Sequence, residues 1–230
     1  MRVLKFSAIA AFSLAVLGFS ACGEDEEMKK TSKVLFVHAS PDAPAVDVVV
    51  AGASAAKGAV FGVNTNYASF SVNETEKFKT DIKVASSGAV ALSLADPAWA
   101  NNMNYSVFVI DSVKKLKVVS IMDMYTMPTD GKALVRFVHA SPDAPNVDVK
   151  AGATALFTNI PFLGKGAAGA TAFIPVAAGT VTLDVFVTGG GKVLSAPVTL
   201  AANKVYTVWA KGFAGGAGAQ ALGASIVTHN

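Results

Sequence analysis

FVHASPDAPAVDV, Phe36–Val48, returns as FVHASPDAPNVDV, Phe137–Val149, with twelve of thirteen positions identical and the residue numbers 101 apart. A repeat this close makes one module used twice, and the rest of the chain is read in register with it. Within the first copy, Val34–Ala39 is apolar and β-branched. It stops at Ser40-Pro41-Asp42-Ala43-Pro44, where two prolines and an aspartate forbid both helix and central strand. The chain turns there and resumes at Ala45–Val50, with Val46, Val48 and Val50 on one face and Asp47 and Val49 on the other.

Further strands are expected at Ala59–Val63, Tyr67–Val72, Asp81–Ala85, Ala89–Leu94, Asn104–Ile110 and Lys117–Met122, separated by turn residues. About eight short strands with no amphipathic helical stretch predict an all-β fold: two tandem antiparallel β-sandwich domains, immunoglobulin-like or transthyretin-like, with a barrel as the alternative. The repeats are placed at 33–124 and 133–230. Between them 125–132 is a short proline-containing linker that restricts the angle between domains. In the second copy Phe162 is matched to Phe61, Phe173 to Phe70, Tyr206 to Tyr105 and Ser225-Ile226 to Ser120-Ile121. The two tyrosines follow polar turns, where a hydroxyl can cap upstream backbone, and are read as structural.

Residues 1–21 have the form of a secretion signal, with Arg2 and Lys5 ahead of a short apolar core. Leu17-Gly18-Phe19-Ser20-Ala21-Cys22 resembles the lipobox of bacterial lipoproteins, which implies cleavage before Cys22 and lipidation, palmitate included, of that cysteine. Cys22 is the only cysteine of the chain, so both domains must be stable without disulfides, which about 100 residues each allow. Residues 22–32 read as a lipidated tether. Its acidic Glu24–Glu27 resembles the surface-export signal of some bacterial lipoproteins, so an outer-membrane protein facing the outside is expected, with a periplasm-facing one as the alternative. No second apolar run is long enough to be a transmembrane helix. Once Arg2 and Lys5 are set aside, 17 basic residues face 16 acidic ones, a balance that argues against nucleic acid as a partner.

The motif His-Ala-Ser-Pro-Asp-Ala-Pro-x-Val-Asp-Val, at His38–Val48 and His139–Val149, resembles the family known as domain of unknown function 4397. The resemblance implies a secreted or surface β-sandwich module, often repeated, and no particular reaction or ligand. From the residues themselves, each motif holds a His, a Ser and two Asp. Ser40 and Ser141 nevertheless lack a nucleophile elbow and an oxyanion loop, so no catalytic residues and no enzyme activity are expected. A metal site would use His38, Asp42 and Asp47, and again His139, Asp143 and Asp148, with Ca²⁺ as the candidate ion; no other cofactor is expected. The preferred expectation is structural. Asp42 and Asp143 would accept backbone N–H groups within the turn, and His38 and His139 would donate to Asp47 and Asp148.

The glycine-rich Gly212–Gly218 lacks the ending and the following helix of a phosphate loop, and is read as a long hairpin loop tipped by Phe213. The expected function is a membrane-anchored, non-catalytic binding or interaction module. Its ligand would be a polysaccharide stacked on Trp99, Tyr67 or Phe213, or a surface protein; the alternative is a structural spacer or envelope-assembly component that binds only protein.

Overall fold

The structure, a computed structural model, describes residues 28–230. The signal at 1–21, Cys22 and most of the tether lie outside the described residues. The first repeat forms β1 Lys29–His38, β2 Val46–Val50, β3 Ala53–Ala59, β4 Ala68–Asn73, β5 Thr80–Val84, β6 Val90–Leu94, β7 Met103–Ile110 and β8 Lys117–Met122. The second forms β9 Lys132–His139, β10 Val147–Ala151, β11 Thr154–Ile160, β12 Ile174–Ala177, β13 Gly179–Val187, β14 Lys192–Leu200, β15 Val205–Lys211 and β16 Gly223–Thr228.

Each repeat is a sandwich of two four-stranded sheets, in the orders β4-β1-β7-β8 and β3-β2-β5-β6, then β12-β9-β15-β16 and β11-β10-β13-β14. Lettered A to H in chain order, these are D-A-G-H and C-B-E-F. That order departs from the A-B-E-D and C-F-G of an immunoglobulin domain, which removes the first of the two expected arrangements. The pairing is antiparallel except in the centre of one sheet of each module, where β1 runs parallel to β7 and β9 parallel to β15.

Alternation sends Val34, Phe36, Val46, Val48, Val107 and Val109 into the first core, and their counterparts Val135, Phe137, Val147, Val149, Val208 and Ala210 into the second. The third strand lies earlier than the expected Ala59–Val63. Ala51 and Gly52 both take positive φ, 47° and 82°, and so close a two-residue hairpin directly after β2. The strand that follows, ASAAKGA, carries no β-branched residue and gives little signal of its own. The tyrosine expectation holds: Tyr105 Oη accepts the Ala100 N–H at 2.9 Å, and Tyr206 Oη accepts the Ala201 N–H at 3.0 Å.

A third apolar cluster joins the two modules. It draws Leu35, Val37, Ala39, Phe108 and Ile110 from the first, and Val138, Ala140, Phe162, Leu163, Trp209 and Val227 from the second. Strands β1 and β7 are thus buried on both faces, one towards their own partner sheet and one towards the other module. Ladder registers identify equivalent residues, since Val34 pairs Tyr105 as Val135 pairs Tyr206. They also correct two matches. Ile226 corresponds to Ser120, because Val208 pairs the former as Val107 pairs the latter. Phe173 corresponds to Tyr67, because it stands two residues past Thr171, whose Oγ1 accepts the Phe137 N–H as that of Thr65 accepts the Phe36 N–H.

Two pairs of equivalent residues meet across the interface. The rings of Phe108 and Trp209 have centroids 5.9 Å apart, and Asp123 Oδ2 lies 3.9 Å from His229 Nδ1. Equivalent residues in contact lie near the two-fold axis that relates their modules. Phe108 is inside β7, whereas Asp123 lies just past the end of β8, so the axis runs along the strands. Both modules therefore point the same way. The contact from Lys117 Nζ to the Gly164 carbonyl, 3.2 Å, joins the two motif ends as this requires.

At the other end a closed polar network crosses the interface. Arg136 Nη2 donates to Asp123 Oδ1 at 2.5 Å and to Ser106 Oγ at 2.8 Å, and Arg136 Nε donates to Thr207 Oγ1 at 2.7 Å. Ser106 Oγ donates to Asp123 at 2.9 Å, and Tyr67 Oη donates to Asp123 Oδ2. With Tyr67 donating to the carboxylate, its oxygen accepts from His229 Nδ1–H at 2.7 Å. The bare Nε2 of that ring then accepts from Thr207 Oγ1–H at 2.6 Å. Each hydroxyl both donates and accepts, and the neutral histidine fits the circuit. Burial, then the charge of Arg136, pushes the His229 pKa down to about 3. Burial raises that of Asp123 against the opposing pull of Arg136. Tyr125, from the connecting segment, stacks edge-on against Phe173 with centroids 5.2 Å apart, so the start of that segment is part of the interface.

Candidate functional site

His38 and His139 are the last residues of β1 and β9, and the Ser-Pro-Asp-Ala-Pro turns that follow carry the chain over the end of each sandwich. His38 Nε2 is 3.1 Å from the Pro44 carbonyl and His139 Nε2 is 3.0 Å from the Pro145 carbonyl. A carbonyl only accepts, so both rings carry their proton on Nε2. Burial, the largest influence on each, lowers both pKa values. The ring therefore ties the strand end to the far side of its turn. Removing it in His38→Ala takes away a side chain only 2% exposed together with its hydrogen bond to the Pro44 carbonyl, and a loss of about 1–3 kcal/mol in urea denaturation is expected. An unchanged midpoint would exclude this role.

The aspartates do other work than expected. Asp42 Oδ1 accepts the Val113 N–H at 2.8 Å and Asp143 Oδ1 accepts the Ala214 N–H at 2.7 Å, so each fastens its turn to the loop after β7 or β15 instead of closing the turn on itself. Asp47 Oδ1 accepts the Gly58 N–H at 2.7 Å. Asp148 Oδ1 accepts the Asn159 N–H at 2.7 Å and the Thr188 Oγ1–H at 2.9 Å. Neither pairs with its histidine. Alternation explains why: Asp47 and Asp148 point away from the core on β2 and β10, whereas the histidines end a strand of the opposite sheet. The sets His38, Asp42, Asp47 and His139, Asp143, Asp148 are therefore not brought together. Among the described residues no group of three His, Cys, Asp or Glu is placed to hold a metal ion. Ser40 and Ser141 are fully buried and their hydroxyls have no hydrogen-bond partner; the bare Nδ1 of His139 instead accepts the Ser141 backbone N–H at 3.4 Å.

Two of the three expected sugar-stacking residues, Trp99 and Tyr67, are corrected as well. Trp99, 2% exposed, lies in the first core among Phe36, Phe78 and Tyr105, with its Nε1 donating to Ser120 Oγ at 3.0 Å. Tyr67 belongs to the interface network. Phe213 is half-buried and bridges to Ala221 at the base of the glycine-rich loop. That loop needs Gly212: its φ is +83°, and a Cβ there would collide with the Ala221 carbonyl oxygen.

The motif end of the second module holds an apolar cavity of about 230 Å³. Val147, Val185, Leu194 and Ala210 line it from both sheets, and Pro145 of the motif turn and Ala214 of the glycine-rich loop form part of its rim. Reading the sequence for charged and aromatic residues passes over such a site. The signal was a size difference between the copies: Val185 stands where the first module has Ile82, and Ala210 where it has Val109.

No curated protein matches the sequence. Among solved structures, the chain is similar to that of CBMbc, a family 26 carbohydrate-binding module from Eubacterium rectale Amy13K, in complex with maltoheptaose. The match has 7% identity and a TM-score of 0.28, and covers 87% of this chain and 97% of that one. At that score the likeness carries no argument about a ligand. A family model, by contrast, matches residues 32–150 and again 133–225, the two stretches that open on the duplicated strand and motif. The chain belongs to that family, described as domain of unknown function DUF4397.

Proposed function

We propose that the protein is an outer-membrane lipoprotein, acylated at Cys22 and facing the outside, whose paired modules form a non-catalytic binding body. One observation supports this reading above the others: both motif ends point the same way, and Met28, where the tether enters β1, is at the opposite end. A tether joined there presents the two motif ends side by side, away from the membrane. The loops at that end also differ between the copies, six residues between β7 and β8 against eleven between β15 and β16. With Trp99 in the core and Tyr67 in the interface, neither offers a face for sugar stacking, so the ligand is gripped by loops and pocket instead.

A photo-crosslinking residue at Val113 or Ala217, exposed at the motif end, is expected to trap a partner on intact cells. The same residue at Thr75 or Asn203, exposed at the tether end, is expected to trap none. Equal capture at both ends, or capture at neither, would overturn the reading. Protease applied to intact cells is expected to degrade the protein, and protection would put it in the periplasm.

A further inference from the structure

The cavity at the motif end of the second module exists because that module lacks side-chain carbon that the first one has. Ile82 and Val109 fill the equivalent space in the first module and are fully or almost fully buried. Val185 is smaller by one methylene and Ala210 by two methyl groups. Leu116, from the short loop of the first module, also packs against its core. The second module has the longer glycine-rich loop there, which contributes Ala214 and Leu222 to the wall. Protein interiors leave few voids larger than a water molecule, so a space of about 230 Å³ that opens at a loop end is a feature to be explained.

The chemistry of the wall restricts what it takes. Every lining side chain but one is aliphatic, and that one, His139, is neutral and commits its Nε2–H to the Pro145 carbonyl. No charged or free donor group is there to meet an ion or a hydroxyl, and a polar group placed inside would lose its water without replacement. An apolar cavity of about 150 Å³ suffices for benzene, so this one has room for a larger group.

We propose that this cavity is a binding site for a neutral hydrocarbon group, an alkyl-substituted ring or a short alkyl chain, carried by a small molecule. The proposal rests on the motif end being the binding end. Crosslinking tests that reading, and the titration below tests the pocket alone.

The full chain carrying Cys22→Ser, made without lipid and purified without detergent, is titrated with butylbenzene, 1-hexanol and hexanoate while its Val and Leu methyl signals are followed by NMR. Saturable shifts are expected at Val147, Val185 and Leu194 with the two neutral probes, and about tenfold weaker binding of hexanoate. The variant V185I/A210V restores the side chains of the first module, so it is expected to fold with equal or greater stability and to bind the neutral probes at least about tenfold more weakly. The converse variant I82V/V109A is expected to open a second site, with new shifts in the first module. Absence of saturable shifts in the starting protein, equal affinity for hexanoate, or shifts that persist in the filled variant would each overturn the proposal.

Discussion

Replacing Arg136 by Leu is expected to cost about 3–5 kcal/mol of stability, measured as a shift in the urea midpoint at unchanged slope. The side chain itself is not the difficulty. Leu35 occupies the equivalent position of the first module and is buried in the same interface. The cost comes from what is left behind: Asp123, whose side chain is fully buried, loses its cationic partner, and Ser106 and Thr207 each lose a donor. An unpaired buried carboxylate must either pay for its desolvation or take up a proton. Arg136→Leu combined with Asp123→Asn removes the charge on both sides and is expected to recover more than half of the loss. The amide oxygen introduced by the second change would still accept from Tyr67 and Ser106. A cost below about 1 kcal/mol for the single variant would mean that water reaches the pair, as in exposed ion pairs. Because the interface cluster is continuous with both modules, the transition is expected to remain single, and two separated transitions would contradict that continuity.

The repeat, the strands other than β3 and the motif turn were legible in the sequence because period two and proline act locally. The same alternation that placed Val46, Val48 and Val50 inside also showed Asp47 outside, and that alone forbids its pairing with His38 at an inner strand end. The interface was less visible, although its signal was present. Val34–Ala39 is an unbroken buried run, and a strand buried on both faces reads in that way rather than as an alternating one. Arg136, set inside the matching run of the second copy, is a charge that such a strand tolerates only with a partner. Its partners were hidden because Tyr67 and Phe173, and Asp123 and His229, are equivalent only through ladder register, across gaps that sequence matching placed a few residues off. The cavity was hidden for a different reason: it is made by carbon atoms that are missing.

Acid should unfold this protein earlier than its carboxylates alone would dictate, and the slope should count its histidines. All three histidines of the chain are buried, and burial lowers the pKa of each, that of His229 to about 3. In the unfolded chain they titrate near 6.5. Below that pH the unfolded state binds protons that the folded state refuses, so stability is full above about pH 6.5 and falls as pH drops. Each histidine that stays neutral in the folded state adds about 1.4 kcal/mol per pH unit, and His229 by itself should remove about 2 kcal/mol between about pH 7 and pH 5. Asp123 works in the opposite sense: raised by burial, it takes up a proton in the folded state first, and blunts the slope between its raised value and the ordinary carboxylate range. The variant His229→Gln isolates the largest contribution. Glutamine can still donate to Tyr67 and accept from Thr207, but it does not titrate. Its stability should fall with acid by about one proton less than that of the parent, read from urea midpoints over that pH range. Protonated His229 would carry a proton on Nε2 facing Thr207 Oγ1, which already accepts from Arg136, and a second positive charge would share the interface with that guanidinium. A parent stability that stays level down to about pH 5, or an unchanged slope in the variant, would show that His229 is free to charge in the folded protein and that the closed circuit does not hold.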